Sequence, residues 1–213
     1  MPGADPARPG GNVKVTRADW LAAARDALIS DGVGEVKVLT LSERLGVSRS
    51  SFYWYFKGRA DLLDALLAEW EAGNTGVLVR HAQMPSDTIT GAVCNLFRCF
   101  VDPELFNHQL DFAVREWARR DGHVRHVIDL GDTRRRIALT QMFERFGYAP
   151  YEADARARIL YFMQIGYYAL DLYEPLEERL TRIEGYILGF TGQNARPEEI
   201  AALAAYARGV QAE

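Results

Sequence analysis

Cysteine, histidine and long apolar runs are scarce in this sequence, and each scarcity excludes a class of protein. Cys94 and Cys99 are its two cysteines, and their helical spacing turns them about 140° apart, so we expect buried thiols and no disulfide. No apolar run approaches the roughly 20 residues of a membrane span, and the first dozen residues lack the basic-then-apolar order of a signal peptide. These absences predict a cytoplasmic protein without a membrane segment.

Catalytic signatures are absent too. The chain has no glycine-rich phosphate loop, no Gly-x-Ser-x-Gly, no Cys-x-x-Cys and no histidine in a plausible context with a nucleophile. We therefore expect no enzyme, no catalytic residue and no cofactor. His123 and His126 share a helix face with Asp129 in a pattern that a metal would accept. Because a histidine pair without a third ligand is usually exposed to solvent, we expect no metal site.

A basic excess over the whole chain is also missing, since the formal net charge is -4. Residues 1–59 nevertheless carry nine Lys or Arg against six Asp or Glu, so the acidic excess lies in the remainder. Arg134, Arg135 and Arg136 stand in that acidic part and are expected to form a solvated face. The first quarter of the chain is therefore the part that suits a polyanionic partner.

What the sequence does have is helical spacing of its apolar residues, which predicts an all-α fold. Thr16 can cap the first helix and Gly32 can close it, and only residues 33–39 alternate like a strand. The first 13 residues, with three prolines and three glycines within the first dozen, are expected to be a disordered arm. Helices are expected at about 16–30, 39–45, 48–55, from 61 onward, and at about 88–101, 103–120, 122–147, 151–173, 176–190 and 197–208.

The segment 45–57 (LGVSRSSFYWYFK) has the pattern of a helix-turn-helix. A helix ends at Leu45, the chain turns at Gly46, and Ser48 caps the next helix. In such motifs the second helix lies in the major groove of DNA with its first turn against base edges. That first turn is 49–51 (Arg-Ser-Ser), whose arginine can make a bidentate contact to guanine.

Aromatic residues fill the rest of this short helix. Phe52 and Phe56 are four residues apart and predict its inward face, while Tyr53 and Tyr55 can donate hydroxyls to phosphates and Lys57 can supply charge. The alternative is that the whole cluster is core. A helix of seven or eight residues cannot bury all its faces, so we favour DNA binding.

These residues resemble the TetR family of bacterial regulators. The family pattern L-G-V-S-x-x-x-[LF]-Y-x-[HY]-F-x-x-[KR]-x-x-L is matched from Leu45 to Leu62, with Arg59 at the basic position, and the likeness covers about residues 14–70. The resemblance implies a three-helix DNA-binding domain at 14–59, with double-stranded DNA as its partner. It also implies a helical ligand-binding and dimerisation domain at 60–213.

By this resemblance, the first turn of the recognition helix reads bases and the later tyrosines and basic residues hold phosphates, while Trp54 can do either. Members commonly have Thr at the start of the second helix and Arg two residues on, where this chain has Lys37 and Leu39, so the anchor of that helix stays open. Lys37 can still contact phosphate. The candidate DNA-binding residues are Lys37, Ser48, Arg49, Ser50, Ser51, Tyr53, Trp54, Tyr55, Lys57 and Arg59.

The family resemblance also implies that two C-terminal helices pair with their copies in a four-helix bundle. Helix 151–173 is apolar nearly all round and needs covering on two sides, and the next helix carries one apolar stripe. We therefore expect a homodimer through about 152–192, the alternative being two core helices of a monomer. The stripe consists of Leu176, Leu180, Ile183, Ile187 and Phe190.

A pocket for a hydrophobic or aromatic small molecule is expected in the same domain, although each lining residue is also a candidate for plain core. The expected function is a ligand-responsive repressor that binds a palindromic operator as a dimer. The alternative is a constitutive DNA-binding dimer without an effector. The candidate pocket residues are Phe97, Phe100, Phe106, Leu110, Trp117, Tyr161, Gln164 and Tyr168.

Overall fold

The structure, a computed structural model, describes residues 15–170, 172 and 174–212. The predicted arm, residues 1–13, lies outside that range. The predicted all-α class is confirmed, since the described chain contains helices and no strand. These helices are α1 Arg17–Asp31, α2 Val38–Leu45, α3 Arg49–Phe52, α4 Arg59–Trp70, α5 Gly76–Ala82, α6 Ile89–Val101, α7 His108–Ala118, α8 Gly122–Arg145, α9 Pro150–Ala169, α10 Leu176–Leu180, α11 Ile183–Thr191 and α12 Pro197–Ala212.

Helix boundaries follow the sequence where local capping sets them. Thr16 and Asp19 form a reciprocal capping box at the start of α1, and Gly32 at φ +80° ends it. The strand-like alternation at 33–39 was misleading, because this stretch forms a 3₁₀ turn at Val33–Glu35 and then enters α2. Local hydrogen bonding therefore outweighed the period-two pattern there.

Two later boundaries differ from the prediction. The helix expected at 103–120 begins only at His108, because the side chain of Asn107 accepts a hydrogen bond from the Leu110 amide and caps it there. The helix expected at 176–190 is interrupted at Thr181 and Arg182, which separate α10 from α11. Residues 176–191 therefore form two short helices instead of the one predicted.

The chain divides into two compact units, Met1–Ala65 and Leu66–Glu213. In the first unit, α1 packs on α2, and α2 packs on α3. Its core is aromatic at the centre: Trp20 and Phe52 are fully buried, with ring centroids 5.2 Å apart in an edge-to-face arrangement. α3, the helix predicted to recognise DNA, is thus held against α1 by a ring contact.

In the second unit, α8 packs against α9, α7 and α5, while α6 packs against α5, α11 and α12. Both predicted buried thiols, Cys94 and Cys99, lie in this core and are free. Burial raises the pKa of the Cys94 thiol to about 12, so it stays protonated at neutral pH. In the part of the chain that is described, no helix has the length and apolar character to cross a membrane.

A polar network lies in the centre of the second unit, beside a π-helical segment at Glu71–Thr75. Arg135 and Asp111 are almost completely buried, and their ion pair measures 2.8 Å from Nη2 to Oδ1. The Trp70 indole N–H donates to the same Asp111 oxygen at 2.8 Å, and Arg135 Nε donates to the Thr75 hydroxyl at 3.0 Å. The widened π-helical turn thus brings Thr75 into the core as a partner of the buried arginine.

The prediction that Arg134, Arg135 and Arg136 form a solvated face was therefore wrong for Arg135. On α8 its neighbours point outward, but Arg135 itself has no exposed surface and stacks over the Trp70 ring at 5.1 Å. No local pattern in the chain signals this, because the partner carboxylate Asp111 is on another helix. A buried arginine is tolerated here because it is both charge-paired and hydrogen-bonded.

Candidate functional site

The turn between α2 and α3 has the geometry that the sequence predicts. Gly46 adopts the left-handed conformation at φ +65° and ψ 31°, and its N–H bonds back to the carbonyls of Ser42 and Glu43. The Val47 amide donates to the Ser42 carbonyl at 3.0 Å. Glycine suits this position because a Cβ disfavours left-handed backbone. The glycine thus ends α2 and directs the chain into α3.

The start of α3 differs in detail from the prediction. Ser48 occupies the N-cap position with extended backbone, but its side chain makes no capping bond. Its hydroxyl instead lies 2.8 Å from that of Ser50, and the Ser51 hydroxyl donates to the Ser48 carbonyl. Ser48 thus holds the predicted N-cap position, but the predicted side-chain capping bond is absent because the serine hydroxyls bond within their own cluster.

The helix predicted to recognise DNA is also shorter than expected. α3 is regular only over Arg49–Phe52, and the amides of Tyr53, Trp54 and Tyr55 bond three residues back, as in a 3₁₀ turn. The predicted extent to Tyr55 was wrong because the last turn tightens before the chain enters α4. The result is a compact segment with its aromatic residues on two sides.

Those aromatic residues divide into an inward and an outward set. Phe52 and Phe56 are buried and stacked with ring centroids 5.3 Å apart, as predicted. Tyr53 is 62% exposed and Trp54 84% exposed, which is unusual for rings of this size. The core-only alternative therefore fails for Tyr53 and Trp54, and these two rings are free to contact another molecule.

Several polar side chains share the exposed side of this segment. Arg49 and Ser50 are exposed and Ser51 is half-buried. Arg49 makes no hydrogen bond or ion pair with any described residue, and the Lys57 side chain is likewise free and exposed. The first turn of α3 thus presents one unpaired guanidinium and adjacent hydroxyls, the donor set that reads guanine and neighbouring bases in a major groove.

Other predicted contacts are used within the protein. The Tyr55 hydroxyl donates to the Val15 carbonyl at 2.8 Å, and Arg59 donates to the carbonyls of Val36 and Val33 at 2.7 and 2.6 Å. These bonds explain both side chains without DNA, so the phosphate role expected for Tyr55 and Arg59 has no support in their geometry. Lys37 is exposed at the start of α2 and forms an ion pair with Glu35.

The eight predicted pocket residues do not line one cavity. Phe97 and Gln164 border a cavity of about 50 Å³, together with residues such as Met163, Tyr167 and Leu203. Phe100 and Phe106 instead pack edge to face within the core, and Phe106 stacks on Tyr168. Tyr161 belongs to the polar network, while Leu110 and Trp117 are buried outside the main apolar cluster. The plain-core alternative thus describes most of this set.

The apolar stripe assigned to the dimer interface faces inward. Ile187 and Phe190 are buried in the core, and Leu176, Leu180 and Ile183 line the small cavity. The prediction of one straight helix was wrong because α10 and α11 are separate helices. The stripe is not at an interface because α11 packs against α6 and α9 of the same chain. The exposed apolar residues lie elsewhere in 152–192, and they are Ile159, Phe162, Leu170, Leu172, Tyr186 and Leu188.

Sequence reasoning missed two exposed apolar residues on α8, Leu130 and Ile137. Their spacing of seven residues would have revealed a shared helix face, but the intervening polar residues hid it. His123 and His126 are exposed on the same helix, and Asp129 pairs with Arg125. Within the described ranges, no three His, Cys, Asp or Glu side chains are grouped as metal ligands.

Comparison with known proteins gives the first unit clear relatives. Residues 21–66 match the family model described as bacterial regulatory proteins, tetR family. The HTH-type transcriptional regulator TtgR of Pseudomonas putida is 38% identical over 52 residues, which are 24% of this chain and 25% of TtgR. The uncharacterized HTH-type transcriptional regulator TtgW of the same organism is 33% identical over 55 residues, which are 26% of this chain and 41% of TtgW.

Solved structures extend the likeness over nearly the whole chain. Mycobacterium smegmatis AmtR aligns with a TM-score of 0.58 at 22% identity, covering 96% of this chain and 98% of AmtR. Salmonella enterica GusR aligns with a TM-score of 0.56 at 14% identity, covering 91% of this chain and 94% of GusR. At these identities the structures establish the shared fold, while sequence similarity to the curated regulators reaches about a quarter of TtgR.

Proposed function

We propose, from the premise that this chain belongs to the TetR family of bacterial regulatory proteins, that it is a DNA-binding transcriptional regulator acting in the cytoplasm. The observation that carries the proposal is the exposed face of α3 and the turn after it. Trp54 and Tyr53 are solvent-exposed beside the unpaired Arg49, while Phe52 anchors the helix from within. α3 therefore combines exposed rings and an unpaired guanidinium on one side with a buried ring that fixes the helix to the core. This combination suits a helix that lies in a major groove.

In this proposal the contacts have separate roles. Arg49, Ser50 and Ser51 read base edges, Tyr53 and Lys57 hold phosphates, and Trp54 contacts either a base edge or the sugar-phosphate backbone. Tyr55 and Arg59 are omitted because their hydrogen bonds shape the protein itself. Lys37 is an added phosphate contact once it exchanges its exposed partner Glu35 for DNA.

DNA binding is tested with the purified chain and its upstream intergenic DNA. We expect tighter binding to that fragment than to a shuffled fragment of equal length, and an affinity that falls steeply as salt rises. Fluorescence anisotropy at two salt concentrations measures both. Equal affinity for the two fragments would favour an architectural role over regulation.

The second part of the proposal is a homodimer through residues within about 152–192. Ile159 and Phe162 on α9 and Leu188 on α11 are large apolar side chains that α-helical monomers usually cover. A two-fold pair would bury them and present two copies of α3 to the two halves of a palindromic operator. Gly185 and Gly189, both exposed on α11, allow close approach of a partner backbone.

Replacing Phe162 with glutamate is expected to convert the dimer to a monomer, because two charges would be buried at the two-fold contact. Light scattering at micromolar concentration measures the mass. Leu130→Glu is the matched control, since Leu130 and Phe162 are both 53% exposed and Leu130 lies outside the proposed interface. A monomeric wild type, or a dimer that survives F162E, would refute this interface.

The size of the cavity favours a second candidate, a constitutive DNA-binding dimer without an effector. About 50 Å³ is far below the several hundred Å³ that small-molecule pockets usually offer. A ligand-responsive repressor for a hydrophobic or aromatic effector needs this cavity to enlarge on binding. Thermal-shift screening with uncharged hydrophobic and aromatic compounds distinguishes the two, because an effector bound in this cavity raises the unfolding midpoint and a constitutive binder is stabilised by none of these compounds.

A further inference from the structure

An open groove of about 460 Å³ runs between the loop before α6, the α6 helix itself and the first turns of α12. Cys94 and Arg98 of α6 line it from one side, and Ala202 of α12 from the other. It belongs wholly to the second unit and shares none of its lining residues with the small cavity described above. Its volume is within the range of small-molecule sites.

One arginine of this groove, Arg98, has hydrogen-bond donors without a partner. Its Nε is buried with no hydrogen-bond partner, and its guanidinium forms no hydrogen bond or ion pair with any part of the chain that the structure describes. The group stacks over the Tyr206 ring at 5.5 Å, which holds it in place. The fully buried Arg135, by contrast, has an ion pair and further hydrogen bonds. Arg98 as a whole is half-buried, and its outer guanidinium nitrogens are neither buried nor bonded to a described residue, so they can donate hydrogen bonds to a molecule in the groove.

A carboxylate that lines the same groove, Glu199, already has hydrogen-bond partners of its own. The Glu199 carboxylate accepts hydrogen bonds from the Thr88 and Thr90 hydroxyls and from the Arg196 amide, which holds it at the start of α12. Partial burial opposes ionisation of Glu199, but the threonine hydroxyls outweigh it and lower its pKa. Glu199 is thus an anion with its own partners, and Arg98 is left without one.

We infer that this groove binds a small monocarboxylate, with the ligand carboxylate on the Arg98 guanidinium. The planar fork of arginine matches a carboxylate in two parallel hydrogen bonds. The groove is lined by three carboxylates, of Asp87, Glu198 and Glu199, and by two arginines, Arg98 and Arg196, so its lining has a formal charge of -1. This charge repels a dianion such as phosphate about twice as strongly as a monoanion. Cys94 and Ala202 offer apolar surface to the rest of the ligand.

The test uses the full chain and calorimetric titration with acetate, hexanoate and benzoate, and with benzamide as an uncharged analogue of benzoate. At least one carboxylate is expected to bind at concentrations up to about 10 mM, while benzamide does not. Arg98→Gln is expected to weaken binding about 10-fold to 100-fold, the usual range for losing a charge-assisted hydrogen bond. Arg136→Gln, an arginine in the α8–α9 groove, serves as the matched control and retains full affinity.

A second variant tests the inference even if the Arg98→Gln protein does not fold. Ala202→Trp fills the groove from an exposed helical position and leaves Arg98 intact, and it is expected to abolish binding. The inference is overturned if no carboxylate of the set binds, if benzamide binds as well as benzoate, or if Ala202→Trp binds like the wild type. None of these results depends on DNA binding, which is measured separately.

Discussion

Asp111→Ala is expected to lower the free energy of unfolding by about 3–5 kcal/mol, the usual cost of removing one partner of a buried ion pair. Asp111 accepts hydrogen bonds from Arg135, Arg115 and the Trp70 indole, and it is 1% exposed. Its loss would leave the fully buried Arg135 without its carboxylate partner. Urea unfolding followed by tryptophan fluorescence measures the change.

Asp129→Ala is the control for this prediction. Asp129 also pairs with an arginine on a helix, but its side chain is 56% exposed and that of Arg125 is 66% exposed. Exposed pairs of this spacing contribute about 0.3–0.5 kcal/mol, so D129A should be nearly neutral. Equal stability losses in the two variants would show that the network around Arg135 does not hold the second unit together.

The same carboxylate predicts how stability depends on pH. Burial alone raises the pKa of Asp111, but Arg135 and then Arg115 outweigh burial and lower it to about 2. The folded pKa therefore lies below the ordinary value of 3.8. The contribution of Asp111 to stability is fully present above about pH 4 and is lost as the pH falls toward 2. The stability difference between wild type and D111A should shrink over that interval.

Arg49→Ala is expected to cost about 2–6 kcal/mol of specific DNA binding, or roughly 30-fold to 10⁴-fold in Kd. A bidentate arginine–guanine contact is worth about 1–3 kcal/mol, and a dimer loses it in both halves of the operator. Because the Arg49 side chain makes no bond within the described protein, its removal should leave stability unchanged. Anisotropy with the upstream fragment measures the loss.

Lys57→Ala provides the contrast that separates base reading from phosphate binding. Lys57 is also exposed and unpaired in its side chain, but a phosphate contact carries no sequence information. K57A should weaken binding to specific and shuffled DNA alike and reduce the salt dependence by about one counterion per site. R49A should weaken mainly the specific complex. Equal behaviour of the two variants would contradict the roles assigned to them.

The parts of the fold that sequence could predict are those that local interactions determine. Thr16 with Asp19, the left-handed Gly46 and the spacing of Phe52 and Phe56 each depend on residues within a turn or two of one another. Because these interactions are local, the structure that they produce can be predicted from the sequence alone. The division of the aromatic residues of segment 45–57 into an inward and an exposed set follows from the same local spacing.

The rest depends on partners that are distant in sequence. Arg135 was expected in solvent because nothing near it in the chain reveals Asp111. The stripe from Leu176 to Phe190 was expected at an interface because nothing near it reveals that α6 and α9 pack against α11. Arg98 likewise becomes notable only when Glu199 is seen to be occupied by Thr88 and Thr90. The helical spacing of apolar residues predicts that one face of a helix will be buried, but it does not identify the residues that cover that face.

Hydrogen exchange of the protein with and without its upstream DNA shows whether residues 48–57 contact the DNA, which is the basis of the claim that this chain is a DNA-binding regulator. We expect backbone amides in 48–57 to exchange more slowly in the complex, with the strongest protection in the first turn of α3, because bound DNA restricts opening of this segment. Protection confined to residues 66–213, with 48–57 unchanged, would contradict the claim.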